Sequence, residues 1–350
     1  MTGRTIVIGG GQAGLATARC LQRRGIEPVV LDAGTEVGES WRRRYDSLRL
    51  FTPAQYDGLP DFAFPAPAGT YPSKDAVADY LGEYARRFAI DVRLEHRVDS
   101  LRRPQPRGSF ELAIGDRTMK AEQVVVATGA LQRAWRPAFA DALPDGITQI
   151  HSADYRNPSS VVGDTVLIVG AGNSGAQIAE ELVATGTCQD VAISIGEMPR
   201  RLPQRVLARD IFWWLQRTGV LDRTRDSTNS PETTVGAIPL IGSDLPKLIK
   251  TGQIRRIPRV VNADSHGLHD GSGRAHHPTT VIWATGFRND FTWIDIDGAL
   301  DDRGQPQHER GISTTVPGLG FIGLPGLHTK GSGFLGFVGR DAEHLAHHLT

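Results

Sequence analysis

Thr5-Ile-Val-Ile-Gly-Gly-Gly-Gln-Ala-Gly14 joins a short apolar run to a turn with G-x-G-x-x-G spacing at Gly9, Gly11 and Gly14. The apolar run reads as a buried strand. A helical stretch from Ala13 to Arg24 follows, and Gly25 stops it. Pro28-Val-Val-Leu31 is a second strand, closed by Asp32 about 20 residues past the glycines, as a dinucleotide fingerprint requires. In such a turn the first glycine permits the bend, the second leaves room for a pyrophosphate to reach backbone, and the third lets helix pack on strand. The N–H groups at the helix start, around Gln12 and Ala13, face the phosphates, where the helix dipole adds roughly half a positive charge. Asp32 suits a ribose diol with a free 2′-hydroxyl. A dinucleotide site is expected here.

The pattern returns downstream. Thr165-Val-Leu-Ile-Val169 feeds Gly170-Ala-Gly172-Asn-Ser-Gly175, followed by a helix through Ile178, Leu182 and Val183 and a strand at Val191–Ile195. Gln123–Ala127 runs into Thr128-Gly129, and Thr280–Ala284 runs into Thr285-Gly286. The interval from Gly9 to Gly129 nearly equals that from Gly170 to Gly286, which marks an internal repeat. The expected fold is α/β with two Rossmann-like dinucleotide-binding domains in a glutathione-reductase-like arrangement. A strand at Leu319–Leu324 and a helix opened by Gly331-Ser-Gly333, with Phe334, Val338, Ala342, Leu345 and Leu349 on one face, are expected to return to the first sheet. The first domain is then discontinuous, 1–155 with 287–350. The second spans 156–286 with a helical insertion around 203–258.

Composition narrows the function classes. Thirty-nine basic residues balance thirty-nine acidic ones in 350, so no global field recruits nucleic acid or an anionic membrane. Cys20 and Cys188 are the only cysteines, which suggests neither a disulfide framework nor a metal site and fits a reducing compartment. No apolar run reaches the length of a membrane span. With the first strand starting at residue 5, no signal peptide is expected, and the localisation expected is cytoplasmic. The oligomeric state stays open, a homodimer included.

Other stretches have weaker readings. Arg42, Arg43 and Arg44 read as a solvated face. Gln55–Tyr71 is rich in proline and glycine, with Phe62 and Phe64 expected to be exposed, and forms a draped loop or a cleft wall. Asp75–Phe88 is helical with Ser73 as cap. Arg209–Leu215 and Leu245–Lys250 are short helices, the first presenting Trp213 and Trp214 to a pocket or to the core. Ser265–His277 is expected to be a loop whose four histidines bind no metal. No acid ends strand Val191–Ile195. Arg200 and Arg201 follow it, either as surface residues or as a clamp for a 2′-phosphate.

Two dinucleotide sites without a catalytic triad or metal constellation suggest a relay in which a nicotinamide reduces a flavin. At this point the chain resembles a family. Gly9–Gly14, Glu39-Ser-Trp41, Tyr45-Asp-Ser-Leu-Arg-Leu-Phe-Thr-Pro53, His151-Ser-Ala-Asp-Tyr155, Gly170–Gly175, Ala284-Thr-Gly-Phe287 and Gly331–Ala342 look like flavin-containing monooxygenases. They are nearest to short bacterial members and to the plant enzymes of auxin biosynthesis. The resemblance implies FAD in the first domain and NADPH, or in some members NADH, in the second. It also implies a reduced flavin that reacts with O2 to a C4a-hydroperoxide, which oxygenates a small amine, sulfide or ketone substrate.

Residue by residue, the resemblance puts Asp32 on the FAD ribose, Ser40 and Trp41 beside the cofactor, and Thr128 and Gly129 near its pyrophosphate. Phe334 and Leu335 open a last helix whose N–H groups face the flavin. Asn173, Ser174, Gly175 and Gln177 hold the nicotinamide nucleotide. Thr52, Val98, Ala127 and Gly286 complete the candidate cofactor-binding set. The catalytic candidates are Phe51, Asn173 and His151.

Two departures stand out. Many members place Asn at Phe51, where this chain can only pack or stack. Asp145 and Ile147 replace the aromatic and glycine of F-x-G-x-x-x-H-x-x-x-Y, while His151 and Tyr155 keep their spacing. His151 can serve as a structural hydrogen bond at the domain junction or carry a proton near flavin. The rivals are an NAD(P)H oxidase or flavin reductase, a non-catalytic redox sensor, and a disulfide reductase, for which a C-x-x-C pair is missing.

Overall fold

The computed structural model describes residues 4–223 and 239–349, so residues 224–238 of the expected insertion lie outside it. Two parallel sheets carry the two glycine turns. The first has Leu319–Phe321, Gln123–Val126, Thr5–Ile8, Val29–Leu31 and Asp91–Arg93 as successive parallel neighbours. His308–Glu309 and Ile312–Ser313 extend it antiparallel at one edge. All four residues of Thr5–Ile8 are buried, because both faces of this sheet are covered.

On one face, Val7, Val30 and Val125 meet Leu15, Leu21, Tyr80 and Leu345 from helices Gln12–Gln22, Lys74–Arg87 and Val338–His348. On the other, Ile6, Leu31 and Val124 meet Leu101, Phe110 and Leu112 of a four-stranded sheet. Each fully buried leucine contributes about 1.5–3 kcal/mol.

The second sheet repeats the plan: Arg255–Ile257, Asp190–Ser194, Thr165–Val169, Thr280–Trp283 and Thr148–His151, all parallel. Helix Asn173–Thr185 covers one face through Ile178 and Leu182. A three-stranded antiparallel sheet covers the other through Val260, Ala263 and Leu268. Among the described residues no helix is long and apolar enough to cross a membrane.

Several expectations change. Thr148–His151 pairs with Thr280–Trp283, so the boundary drawn at 155 falls beyond a strand of the second sheet. The insertion ends earlier than 258, because Arg255–Ile257 is that sheet's edge strand. Phe64 is buried and Phe62 half-buried: both rings pack on Tyr80, with centroids 4.7 and 5.4 Å away. Irregular backbone has no period from which exposure can be read, which is why that expectation failed.

The histidine stretch is a hairpin pair, Val260–Asp264, Gly267–Asp270 and Ala275–His276, turned at Gly267 (φ +107°) and Gly273 (φ +85°). A bulge between Val260 and Asn262 and the unbroken burial of Gly267 and Leu268 hide the strands in the sequence, and His276 Nε2 lies 2.8 Å from Asp270 of the same hairpin. Trp213 and Trp214 are half-buried on helix Ile211–Arg217, and the Trp214 indole N–H donates to the Val206 carbonyl.

Candidate functional site: two glycine turns and an aromatic cluster

The two turns are built alike. Gly9 has φ +111°, and a Cβ there would stand 2.5 Å from the Ala127 carbonyl oxygen. Gly170 has φ +109°, and its Cβ would stand 2.4 Å from the Ala284 carbonyl oxygen. A Cβ on Gly14 would come within 1.8 Å of the Gly9 carbonyl oxygen, and one on Gly175 within 2.1 Å of that of Gly170. Gly11 and Gly172 differ: among the described residues a Cβ on either meets nothing within 4 Å. The outer glycines are therefore demanded by the protein's own packing, whereas the middle ones border open space.

Gly11 and Gly172 also cap their helices, and neither cap carries a side-chain hydrogen bond. First-turn N–H groups have no helical partner, so Gln12 and Ala13 in one turn, and Asn173 and Ser174 in the other, present donors beside an open cradle. A phosphate fits that arrangement.

Around the first turn, Asp32 accepts from the Gly10 N–H (2.5 Å) and the Gly34 N–H (2.7 Å). Each carboxylate oxygen accepts more than one hydrogen bond, so holding the turn does not exhaust Asp32. The Trp41 indole N–H donates to Gln12 Oε1 at 3.2 Å, while Ser40 is exposed. Ala127, Thr128 and Gly129 lie at the strand end against Gly9, and Gln132 donates to Thr128 Oγ1 and to the Gly129 carbonyl. Val98 is half-buried against the four-stranded sheet's core.

Thr52 is buried and donates to Asp57 Oδ1 at 2.5 Å. Phe51 stacks on Phe212, with centroids 6.1 Å apart, and meets the Phe334 ring edge-on at 5.9 Å. Leu335 is buried in a 3-10 turn, Leu335–Phe337, and the last helix begins only at Val338. Phe334 and Leu335 are thus not the first residues of that helix. The glycines at 331, 333 and 336 shape a tight turn that helical spacing cannot anticipate.

Around the second turn, Asn173 Nδ2 donates to the Pro239 carbonyl at 3.3 Å, and the Tyr45 hydroxyl donates to Gln177 Oε1. His151 is buried; its Nδ1 accepts from the Ala153 N–H at 3.0 Å, so Nε2 carries the proton and donates to the Gly286 carbonyl at 3.1 Å. Burial holds its pKa below the usual imidazole value. Both nitrogens are engaged with backbone, and the ring meets Phe287 edge-on at 5.2 Å.

Arg200 and Arg201 are exposed past strand Asp190–Ser194. Two further arginines come to the same strand end. Arg256 donates to the Gly196 carbonyl at 3.4 Å, and the Arg259 guanidinium lies so close that a Cβ on Gly196 would stand 2.7 Å from its Nε. They arrive through the pairing of Arg255–Ile257 with Asp190–Ser194, a long-range contact with no local signature.

A family model described as pyridine nucleotide-disulphide oxidoreductase matches residues 6–202. An uncharacterized oxidoreductase CzcO-like of Geobacillus kaustophilus is 39% identical over 340 residues, spanning 97% of this chain and 96% of its own. The rice indole-3-pyruvate monooxygenase YUCCA1 is 27% identical, over 97% of this chain and 89% of its own. Among solved structures, a flavin-containing monooxygenase from Stenotrophomonas maltophilia superposes with a TM-score of 0.81 at 26% identity, covering 99% of this chain and 98% of that one. The family's description includes disulphide chemistry, but Cys20 and Cys188 are both free, and Cys20 is buried with its thiol pushed up to about 12. The chain belongs to the pyridine nucleotide-disulphide oxidoreductase family, as an oxidoreductase related along its whole length to flavin monooxygenases.

Proposed function

We propose that the chain is an FAD-dependent, NAD(P)H-driven monooxygenase that inserts one atom of O2 into a small organic nitrogen- or sulfur-containing or ketone substrate. The observation that carries this reading is the duplicated turn, in which Gly11 and Gly172 border open space among the described residues while their neighbours are locked into backbone contact. A chain with two dinucleotide cradles and no local thiol pair has the parts for electron transfer between nucleotides. Whole-length likeness to a flavin-containing monooxygenase at 26% identity supports oxygen as the acceptor.

FAD belongs to the first turn, where Asp32 suits a 2′-hydroxyl. The pyridine nucleotide belongs to the second, where the strand end carries arginines instead of an acid, which favours NADPH over NADH. The parallel pairing of Leu319–Phe321 with Gln123–Val126 supports a first domain that includes the tail, with the second domain taking in Thr148–His151 as well.

Bound flavin, once reduced, supplies the activation of O2: substrate, O2, NAD(P)H and a proton yield oxygenated substrate, water and NAD(P)+. The chain's own residues hold and shield. Gly11, Gln12 and Ala13 offer backbone donors to phosphate, and Trp41 braces Gln12. Tyr45 fixes Gln177 at the second turn. Phe51, Phe212 and Phe334 form an aromatic wall that excludes water.

Incubation with 18O2 is expected to place one labelled atom in the product and the other in water. Ser174→Trp is expected to abolish reduction by NADPH while bound flavin is retained, because a bulky side chain then stands at the second helix start. Loss of flavin instead would invert the assignment of the two turns.

Phe51 favours a second reading. Its ring cannot offer the amide that many relatives carry there, so an NAD(P)H oxidase, converting O2, NAD(P)H and a proton to H2O2 and NAD(P)+, is the competing outcome. Phe51→Asn is expected to lower the peroxide formed per NADPH by severalfold, measured by a coupled peroxide assay. Stoichiometric peroxide in the unaltered enzyme with every substrate offered would establish the oxidase.

A further inference from the structure

Trp41-Arg-Arg-Arg-Tyr45 reads in sequence as three equivalent surface cations, and the structure separates them. Arg42 pairs with Glu36 at 2.9 Å and with Asp79 at 2.6 Å, and Arg43 pairs with Glu39. Arg44 has no such partner: among the described residues no carboxylate lies within ion-pair distance of it. It is half-buried, with its guanidinium over the Phe287 ring at 5.4 Å from the centroid.

The charged and titratable groups that face Arg44 are the Tyr45 phenol, a second cation, Arg156, and the His151 imidazole, which packs on the same Phe287 ring; burial holds the Arg44 pKa below the usual guanidinium value. Arg156 is itself turned to carbonyls, those of Arg43 and Ala153. A desolvated cation beside another cation is costly unless an anion is supplied.

The surroundings indicate where that anion comes from. Phe287 directly follows Ala284-Thr-Gly286, the strand end that packs on Gly170. Tyr45, the next residue in the chain, reaches Gln177 in helix Asn173–Thr185. Arg44 therefore sits between the strand end and the helix start that frame the second glycine turn.

We propose that Arg44 is an anion-binding residue of the second site, its guanidinium taking a phosphate or carboxylate oxygen of the ligand docked across that turn. This rests on the reading of the second turn as a nucleotide site. The shared chemistry is an anionic oxygen pair matched to a planar fork of N–H donors. Its source is either the pyrophosphate of the pyridine nucleotide or the carboxylate of an organic substrate.

The test uses the flavin-loaded protein, its Arg44→Met and Arg44→Lys variants, and two probes titrated calorimetrically, NADP+ and phenylacetate. Arg44→Met is expected to weaken one probe on the order of 10- to 100-fold, and Arg44→Lys to recover part of that loss. Without added ligand, the melting temperature of Arg44→Met is expected to equal or exceed that of the unaltered protein, because an unpaired cation has been removed. A merely structural arginine would lower it.

Weakened NADP+ with unchanged phenylacetate assigns the pyrophosphate, and the reverse assigns the carboxylate. Unchanged affinity for both probes overturns the proposal while leaving the nucleotide site standing. An unaltered protein that retains flavin but binds neither probe overturns both.

Discussion

Gly11→Ala and Gly172→Ala are expected to fold almost as the unaltered chain does and to lose one cofactor each. Their φ values, −78° and −67°, are open to any residue, and an added methyl meets nothing within 4 Å among the described residues. Alanine at these helix caps costs less than about 1 kcal/mol. The same methyl stands where a pyrophosphate must touch backbone. Gly11→Ala should therefore emerge with little bound flavin, and Gly172→Ala yellow but with NADP+ affinity reduced at least roughly tenfold, read by absorbance and by titration.

Gly14→Ala and Gly175→Ala are the contrast. Their methyls would stand 1.8 and 2.1 Å from backbone carbonyl oxygens, so helix and strand must part. A loss of roughly 3 kcal/mol or more is expected from that overpacking, measured by denaturant unfolding. Full retention of both ligands by Gly11→Ala and Gly172→Ala would show that no phosphate approaches these turns.

The stability contributed by Asp57 is expected to fall as pH rises from about 4 to about 7, opposite in sign to His151, His308, His328 and His344, whose imidazoles burial holds below their ordinary value. Asp57 is fully buried, and its Oδ1 accepts from Thr52 while its Oδ2 has no partner among the described residues. Burial pushes its carboxyl up to about 7 from the ordinary 3.8. The folded state thus holds a proton that the unfolded state releases. The protein has its full stability below about pH 4 from this group, and loses it as pH climbs through the folded-state value.

A shift of about three units corresponds to roughly 4 kcal/mol. Asp341, buried near Ser332 in the last helix and pushed up to about 6, acts in the same direction over a narrower window. Asp57→Asn keeps the acceptor for Thr52, and its stability relative to the unaltered protein is expected to rise between pH 5 and pH 8, followed by urea unfolding of both at each pH. An unchanged slope in Asp57→Asn would mean that the carboxylate is ionised and paired when folded.

The readable features share a property: each is complete within a few neighbouring residues. The glycine spacing states a steric demand, and the structure meets it twice with near-identical contacts at Gly9 and Gly170. Ser73 accepts from the Ala76 N–H as a helix cap should. The unreadable features are those in which a residue's meaning comes from a distant partner. Phe62 and Phe64 lie in irregular chain, and only the arrival of Tyr80 buries them. Val260–His276 alternates too weakly to announce three strands, because a bulge between Val260 and Asn262 and the burial of Gly267 and Asp270 beside Leu268 break the period of two.

From its own order of residues, then, this chain determined two glycine turns, the strands that feed them and the acid that closes the first, since steric and hydrogen-bond requirements over a single turn leave few alternatives. Only the tertiary structure decided that Arg44 stands without a carboxylate among the described residues while Arg42 and Arg43 are paired. It alone placed Arg256 and Arg259 at the end of a neighbouring strand, and engaged both nitrogens of His151 with backbone. Charge pairing and desolvation depend on which surfaces meet across the fold, and that information is not local to any stretch of the sequence.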